Sequence, residues 1–362
     1  MVLPDGGLAI LPAPATSLPP LHVEGNTIQD SAGSTVVLRG VCIPDIGLLD
    51  SQSTDSGVSG VRARIDEVLT TAQLDAHVIR LPVYPRTVFN GGSPTYSPEP
   101  FPVGQAAPST SKVTVTNLSV GDYVSQVLQP AVDYATSKGL YAIVDFHQID
   151  NATGDGGAAS QSGQDAITFW TQIAPVFSNY PNVFYEAFNE PIDTSAGSSA
   201  GWNQAYLAVA QSWVNTIRAG APNNIIVVGS PSWSQYPNGG HALTGSNLVF
   251  TAHAYPNNWP GTGESSFLAR VQEAAATAPV FFTEWGFQIG TASKTNSLAT
   301  PDDSWGQALQ SVLNAGGESW TAWVADPSWG PPMFADASGT LTDFGTFVQT
   351  WLAADVDAGW IQ

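Results

Sequence analysis

Eight apolar, strand-like segments, all but one followed by a clear helix-like pattern, limit what this 362-residue chain can fold into. They span residues 36–43, 77–83, 140–147, 182–189, 224–230, 247–254, 279–284 and 318–323. Helical periodicity falls at 62–76, 122–137, 164–177, 201–218, 265–276, 303–314 and 342–353; the connection from the fifth to the sixth strand shows little of it. Strands this continuously apolar belong to a parallel sheet covered on both faces. Repeated β–α units predict an α/β fold, a closed (β/α)8 TIM barrel. The stretch "LHVEGNTIQDSAGSTVVLRG" predicts a short β-hairpin ahead of it. The expected organisation is a Pro-rich lead-in or linker over 1–20 and one barrel domain over 21–362.

Loop lengths select a working face. Connections entering strands are short, such as "SKG", "NYP" and "TAP". Those leaving strands are long, over 84–121, 149–163, 286–302 and 324–339. Barrel active sites are built at the strands' C-terminal ends. The polar residues Arg80, His147, Asn189, Glu190, His253 and Glu284 fall at those ends, on five different strands. Glu190 closes "NVFYEAFNE" and Glu284 closes "PVFFTE", both apolar runs. A carboxylate in such a place is costly unless it is paired, hydrogen-bonded or used. Two carboxylates facing each other across a barrel mouth can cleave a glycosidic bond, one protonating the leaving oxygen and the other attacking the anomeric carbon or activating water. Trp233, Trp259, Trp285, Trp323 and Trp329 lie on or just beyond strand ends, where an indole can stack on a sugar ring or pack its own loop.

Charge narrows the partners. Asp plus Glu is 30 against 10 Lys plus Arg, a formal charge of −20. Nucleic acid, anionic membranes and highly anionic polymers are repelled, so a neutral substrate fits best. No run reaches 18 uninterrupted apolar residues, which excludes a sequence-evident membrane helix. The single cysteine, Cys42, rules out an intramolecular disulfide and reads as a buried structural thiol. "DNATGDGG" misses the acid spacing of a calcium loop, and no metal or cofactor is expected. The first 20 residues lack the basic and apolar regions of an intact signal peptide. A secreted monomer acting on a neutral polysaccharide or oligosaccharide is the expectation.

The motifs "VIRLPV", "YAIVDFHQ", "FNEP", "FTAHAYP", "FFTEWGF" and "SWTAW", in that order on successive strands, resemble glycoside hydrolase family 5, the cellulase-like (β/α)8 family. The resemblance runs from the hairpin to the final helix. It implies Glu190 as general acid/base and Glu284 as nucleophile of a retaining double displacement. It implies Asn189 on the sugar 2-hydroxyl, Arg80 against Glu284, His147, His253 and Tyr255 as a polar floor, and Trp323 beneath the −1 sugar, with a cis Trp323–Val324 peptide. Trp233, Trp259 and Trp329 are the further expected platforms. Glu186 shares strand parity with Glu190, and a deeper structural role is expected for it. Asn189 falls on the opposite parity, so its implied role needs a twist or bulge at the strand end. An endo-acting β-1,4-glucanase is the leading expectation, with "TEWG" and "HAYP" leaning that way. A β-1,4-mannanase, a xyloglucan or β-1,3-glucan specificity, and a transglycosylase are the alternatives, and loops 84–121 and 324–339 are expected to decide among them. A sugar-binding barrel without activity would lack one of the two carboxylates, and both are present.

Overall fold

Eight parallel strands close on one another in chain order. They are β1 (Arg39–Cys42), β2 (Val78–Val83), β3 (Tyr141–Phe146), β4 (Val183–Glu186), β5 (Ile226–Val228), β6 (Leu248–Ala254), β7 (Val280–Trp285) and β8 (Ser319–Ala322), with β8 paired to β1. This (β/α)8 barrel is seen in a computed structural model that describes residues 8–51, 59–84, 120–193, 202–257, 264–290 and 298–357. Each expected strand is present, most of them shortened at one or both ends. The expected helix at 62–76 begins earlier and ends as a π-helical turn, Glu67–Thr71. Between β5 and β6 stand only a short turn at Pro231–Ser234 and a 3-10 segment, Pro237–Ala242, which matches the weak periodicity there. Among the described residues no helix is long and apolar enough to cross a membrane.

Side chains two apart on a strand share a face, and this alternation builds the interior in layers. At the base, Val78, Ile143, Phe184, Val227, Val249 and Phe281 pack with Leu21 and Ile28 of the antiparallel hairpin His22–Glu24/Thr27–Gln29. Residues 8–20 lie against this end too: Leu11 N–H donates to the Val176 carbonyl at 2.9 Å, and Tyr141 donates to the Pro19 carbonyl at 2.9 Å. Two residues further along the strands, the interior turns polar with Arg80, Asp145, Glu186, Thr251 and Thr283, all buried. The opposite parity, including Ile79, Leu81, Val144, Phe250 and Phe282, faces the helices in one apolar cluster. Trp285 belongs to that outer face. It meets Trp320 at 5.3 Å, Trp351 at 5.2 Å and Phe344 at 5.5 Å between ring centres, docking the last helix, Asp343–Asp357. A platform role for Trp285 is therefore overturned by its position in the core.

The end of β4 depends on one glycine. A Cβ on Gly229, just after β5, would lie 2.1 Å from the Phe188 carbonyl oxygen and 3.2 Å from Pro191. Only a residue without that atom lets the two chains approach so closely. Gly229→Ala is expected to cost ~1–3 kcal/mol, the usual penalty of overpacking. In urea the unfolding midpoint should fall at an unchanged slope, and an unmoved midpoint would contradict this packing.

Candidate active site

Arg80 organises the barrel mouth. From inside β2 its Nε donates to Glu186 Oε2 at 2.6 Å, Nη1 to Glu284 Oε1 at 2.7 Å and Nη2 to Asn189 Oδ1 at 2.6 Å. Nη2 also lies 3.0 Å from Asp145 Oδ2. Burial of a guanidinium is unfavourable by itself, and these anions hold it charged: its pKa is raised by Asp145, Glu186 and Glu284 against the opposing effect of desolvation. Asp145 continues the network to His147, whose Nδ1 lies 2.6 Å from Asp145 Oδ2.

The two glutamates arrive through interruptions of strand geometry. Regular β4 ends at Glu186, and the chain bends at Ala187. Glu190–Pro191 then pairs with Ile149–Asp150 as a separate two-residue ladder. Asn189 and Glu190, adjacent in sequence, thereby both face the mouth, as the required break at the strand end allows. In β6 the register with β7 shifts between Thr251 and His253, which sets His253 opposite Glu284. His253 Nδ1 lies 2.8 Å from Glu190 Oε1, and the Tyr255 hydroxyl donates to Glu284 Oε2 at 2.8 Å. Arg80, Asn189, Glu190, His253, Tyr255 and Glu284 thus form one connected cluster, with His147 joined to it through Asp145. Among the described residues Asn189 Nδ2 is a buried donor without a protein partner.

Aromatic rings wall one side. Trp323 lies nearly parallel to His147, 4° between planes with centres 5.3 Å apart, and 5.8 Å from Trp329; Tyr84 sits against both His147 and Trp329. The Trp323–Val324 peptide is cis. Trp233 stands apart at 41% exposure, carried by Ser232, Trp233 and Ser234, all with φ of 55–58°. Three consecutive non-glycine residues in the left-handed region are strained, and the Ser234 hydroxyl anchors the turn by donating to the Asn189 carbonyl at 2.7 Å. Trp259 and most of loop 84–121 lie outside the described residues.

Electrostatics separate the two glutamates. Burial pushes Glu190 up to about 8, with Asp145 and Glu186 adding to the rise and Arg80 opposing it. Asp145 is pushed up to about 7 by burial, against the pull of Arg80. Burial lowers His147 to about 3 and His253 to about 4, so both imidazoles are neutral near pH 7. Glu284 receives hydrogen bonds on both oxygens, from Arg80 and Tyr255. Burial lifts the Cys42 thiol to about 12, which fits a structural thiol. Glu190, His253 and Glu284 offer three ligand atoms within 4.8 Å of one another, as a metal site would. Those groups are already engaged with Arg80, Tyr255 and each other, so a cation would have to displace protein hydrogen bonds.

The sequence model of Cellulase (glycosyl hydrolase family 5) matches residues 62–328. The chain belongs to this family. Endoglucanase Z of Dickeya dadantii is 27% identical over 231 residues, 62% of this chain and 49% of that protein. Endoglucanase N of Pectobacterium atrosepticum is 28% identical over 257 residues, 68% of this chain and 53% of that one. The chain spans about half the length of these curated relatives. Among solved structures, a β-glucanase from Saccharophagus degradans shares the fold at TM-score 0.73 and 23% identity, covering 96% of this chain and 98% of that one. The catalytic domain of Thermobifida fusca endoglucanase Cel5A does so at 0.64 and 23%, over 92% and 97%.

Several parts of this family 5 site had not been singled out from sequence. Asp145 is two residues before His147, and its inward parity was a usable signal. Thr283, Asp45 and Tyr84 carried none. Asp45 accepts from the Gly47 N–H at 3.2 Å and the Tyr84 N–H at 3.5 Å, tying the loop after β1 to the end of β2. In "DNATGDGG" the organising carboxylate comes from outside the motif: Asp193 accepts from the Ala152 N–H at 2.7 Å and the Thr153 N–H at 2.9 Å.

The raised carboxyls make stability pH-dependent. Burial pushes Asp45, Asp145 and Glu318 up to about 7 and Glu190 up to about 8. Between the ordinary carboxyl range near ~4 and these values, the folded chain holds protons that the unfolded chain has released. Their contribution to stability is full below that range and is lost as pH rises through 7–8. The melting temperature is expected to be higher at about pH 5 than at about pH 8.5. Calorimetry checks this, and a melting temperature that rises toward alkaline pH would contradict it.

Proposed function

We propose that this chain is an endo-acting β-glycosidase that cleaves β-1,4-glucan with retention, by double displacement. The observation that carries the reading is the carboxylate pair: a Glu190 oxygen and a Glu284 oxygen lie within 4.8 Å of each other. An approach this close accords better with the roughly 5–5.5 Å between carboxyl groups of retaining enzymes than with the roughly 6.5–9.5 Å of inverting ones. Glu284, ionised and aimed by Arg80 and Tyr255, attacks the anomeric carbon. Protonated Glu190 gives its proton to the departing oxygen. Asn189 Nδ2 is placed to donate to the sugar 2-hydroxyl, an interaction that strengthens in the transition state.

Esterification of Glu284 removes one anion from Arg80. The guanidinium then acts more strongly on the remaining carboxyls, lowering the pKa of Glu190 so that it can take a proton from the attacking water. His147, His253, Trp323 and Trp329 complete the −1 floor in this reading. Trp233, exposed beside the acid/base strand, is the platform on the leaving-group side.

A glucan substrate accords with the endoglucanases among the relatives and with cellotetraose bound to the Saccharophagus degradans β-glucanase. A polymer cannot cross a membrane, so action outside the cell follows from the substrate. A single domain over 21–362, active as a monomer without metal or cofactor, completes the proposal. Reducing-end release from carboxymethylcellulose, barley β-glucan, xyloglucan, laminarin and galactomannan tests it. Activity is expected on the β-1,4-glucans and should fall at least ~10³-fold in Glu284→Gln. Galactomannan as the preferred polymer would overturn the substrate, and undiminished activity in the variant would overturn the nucleophile.

A further inference from the structure

Glu186 takes no part in the displacement chemistry, yet a continuous hydrogen-bond chain joins it to Glu190. Thr283 Oγ1 donates to Glu186 Oε1 at 2.8 Å. The same Thr283 oxygen lies 3.0 Å from His253 Nε2, and His253 Nδ1 lies 2.8 Å from Glu190 Oε1. Glu186 Oε2 accepts from Arg80 Nε at 2.6 Å, so this carboxylate accepts on both oxygens; burial raises its pKa, and the paired guanidinium opposes that rise.

The chain has a direction because a hydroxyl carries one proton and a neutral imidazole one N–H. Thr283 gives its proton to Glu186, so it can only accept from His253. The hydrogen of His253 must then sit on Nε2, and Nδ1 presents a lone pair. Glu190 Oε1, facing that lone pair, has to supply the proton of their hydrogen bond. Thr251, whose hydroxyl contacts Thr283 Oγ1, fits the same direction as a donor.

We infer that Glu186 is a positioning residue that holds the catalytic proton on Glu190 by fixing, through Thr283, the tautomer of His253. The inference rests on the reading of Glu190 as acid/base. The neutral state of His253, favoured by burial, supports it. In the reversed order, the Glu190 O–H breaks as His253 Nδ1–H forms, His253 Nε2–H breaks as a new Thr283 O–H forms, and the old Thr283 O–H breaks as a Glu186 O–H forms. One proton has then moved from Glu190 to Glu186 with no change in total charge. That order neutralises Glu186 against Arg80 and gives up their ion pair, so the resting arrangement keeps the proton where glycosidic cleavage needs it. The other ionisable groups facing the chain are Arg80 from β2, Asp145 and His147 from and beyond β3, Glu284 from β7, Tyr255 after β6 and Cys42 from β1.

Thr283→Val cuts the chain while leaving every one of those groups, including Glu186, in place. The variant removes the hydroxyl that accepts from His253 Nε2–H and so lifts its constraint on the tautomer, which lets the hydrogen sit on Nδ1 and be donated to ionised Glu190. In Glu186→Gln the amide oxygen turns to Arg80 and the NH2 group to Thr283, which reverses the chain outright. Two measurements on the full chain test this. The first is ¹⁵N NMR of histidine-labelled protein, with the His253 signals identified by their absence in His253→Asn. The wild type should show the Nε2–H tautomer, and Thr283→Val and Glu186→Gln the Nδ1–H form. The second is the pH dependence of kcat/KM on a soluble cello-oligosaccharide. Its alkaline limb should move down by about one pH unit or more in Thr283→Val and Glu186→Gln, and stay in place in Thr283→Ser. A wild-type Nδ1–H tautomer, or an unmoved limb in Thr283→Val, overturns the inference. The NMR measurement needs no turnover, so a wild type inactive on every glucan would refute the proposed function and still leave the chain decided.

Discussion

One buried guanidinium sets the terms for everything at the mouth of this barrel. Arg80 is fully enclosed, and the effective penalty for removing such a charge from water is several kcal/mol. Four oxygens from Asp145, Glu186, Asn189 and Glu284 meet it within 3.0 Å, so its donors are satisfied in a fixed geometry. The residues that meet it come from β3, β7 and the end of β4, and the apolar layer beneath excludes water from that side. A shift of any one strand would leave a charge buried without its partner. The fold therefore fixes the spacing of the polar groups, and the polar groups in turn penalise other packings of the mouth.

Around that one cation stand more carboxyl groups than it can neutralise, and their inequality is what makes chemistry available. Glu284 holds Arg80 and Tyr255, two donors suited to an anion. Glu190 meets the His253 imidazole at 2.8 Å, and burial, with Asp145 and Glu186 adding to it, keeps its proton on well above the usual carboxyl range. Acid and nucleophile are the same residue type, told apart by their neighbours. Gly229 and the bend at Ala187 belong to the same account, because they turn Glu190 toward Glu284 after the regular strand has ended.

The strands' order and the clustering of polar residues at their ends were legible in the sequence because both follow from period-two alternation and loop length. Arg80, His147 and His253 could be placed on that basis. Glu190 beside Asn189 could not, since adjacent residues on one face contradict alternation. The break comes from Gly229 against Phe188 and from the pairing of Glu190–Pro191 with Ile149–Asp150, both contacts between distant segments. Trp285 could not be assigned to sugar or core for a related reason: Thr283 and Glu284 both face inward, and Trp285 returns to the outer face. Thr283, a common β-strand residue, gave no signal until its three hydrogen-bonding neighbours were assembled around it. Trp233 illustrates a third limit, because its exposure depends on a left-handed turn that no local propensity favours.

The central claim is that Glu284 becomes covalently bonded to the sugar while Glu190 manages the proton. Incubation with a 2-deoxy-2-fluoro cellobioside bearing a good leaving group slows release of the glycosyl-enzyme, so the attached sugar can be located by mass spectrometry of proteolytic peptides. The account predicts one added fluorocellobiosyl group per chain, on the peptide that contains Glu284. Its appearance on Glu190 or Glu186, or turnover of an active enzyme through an inverting path with no adduct at all, would contradict it.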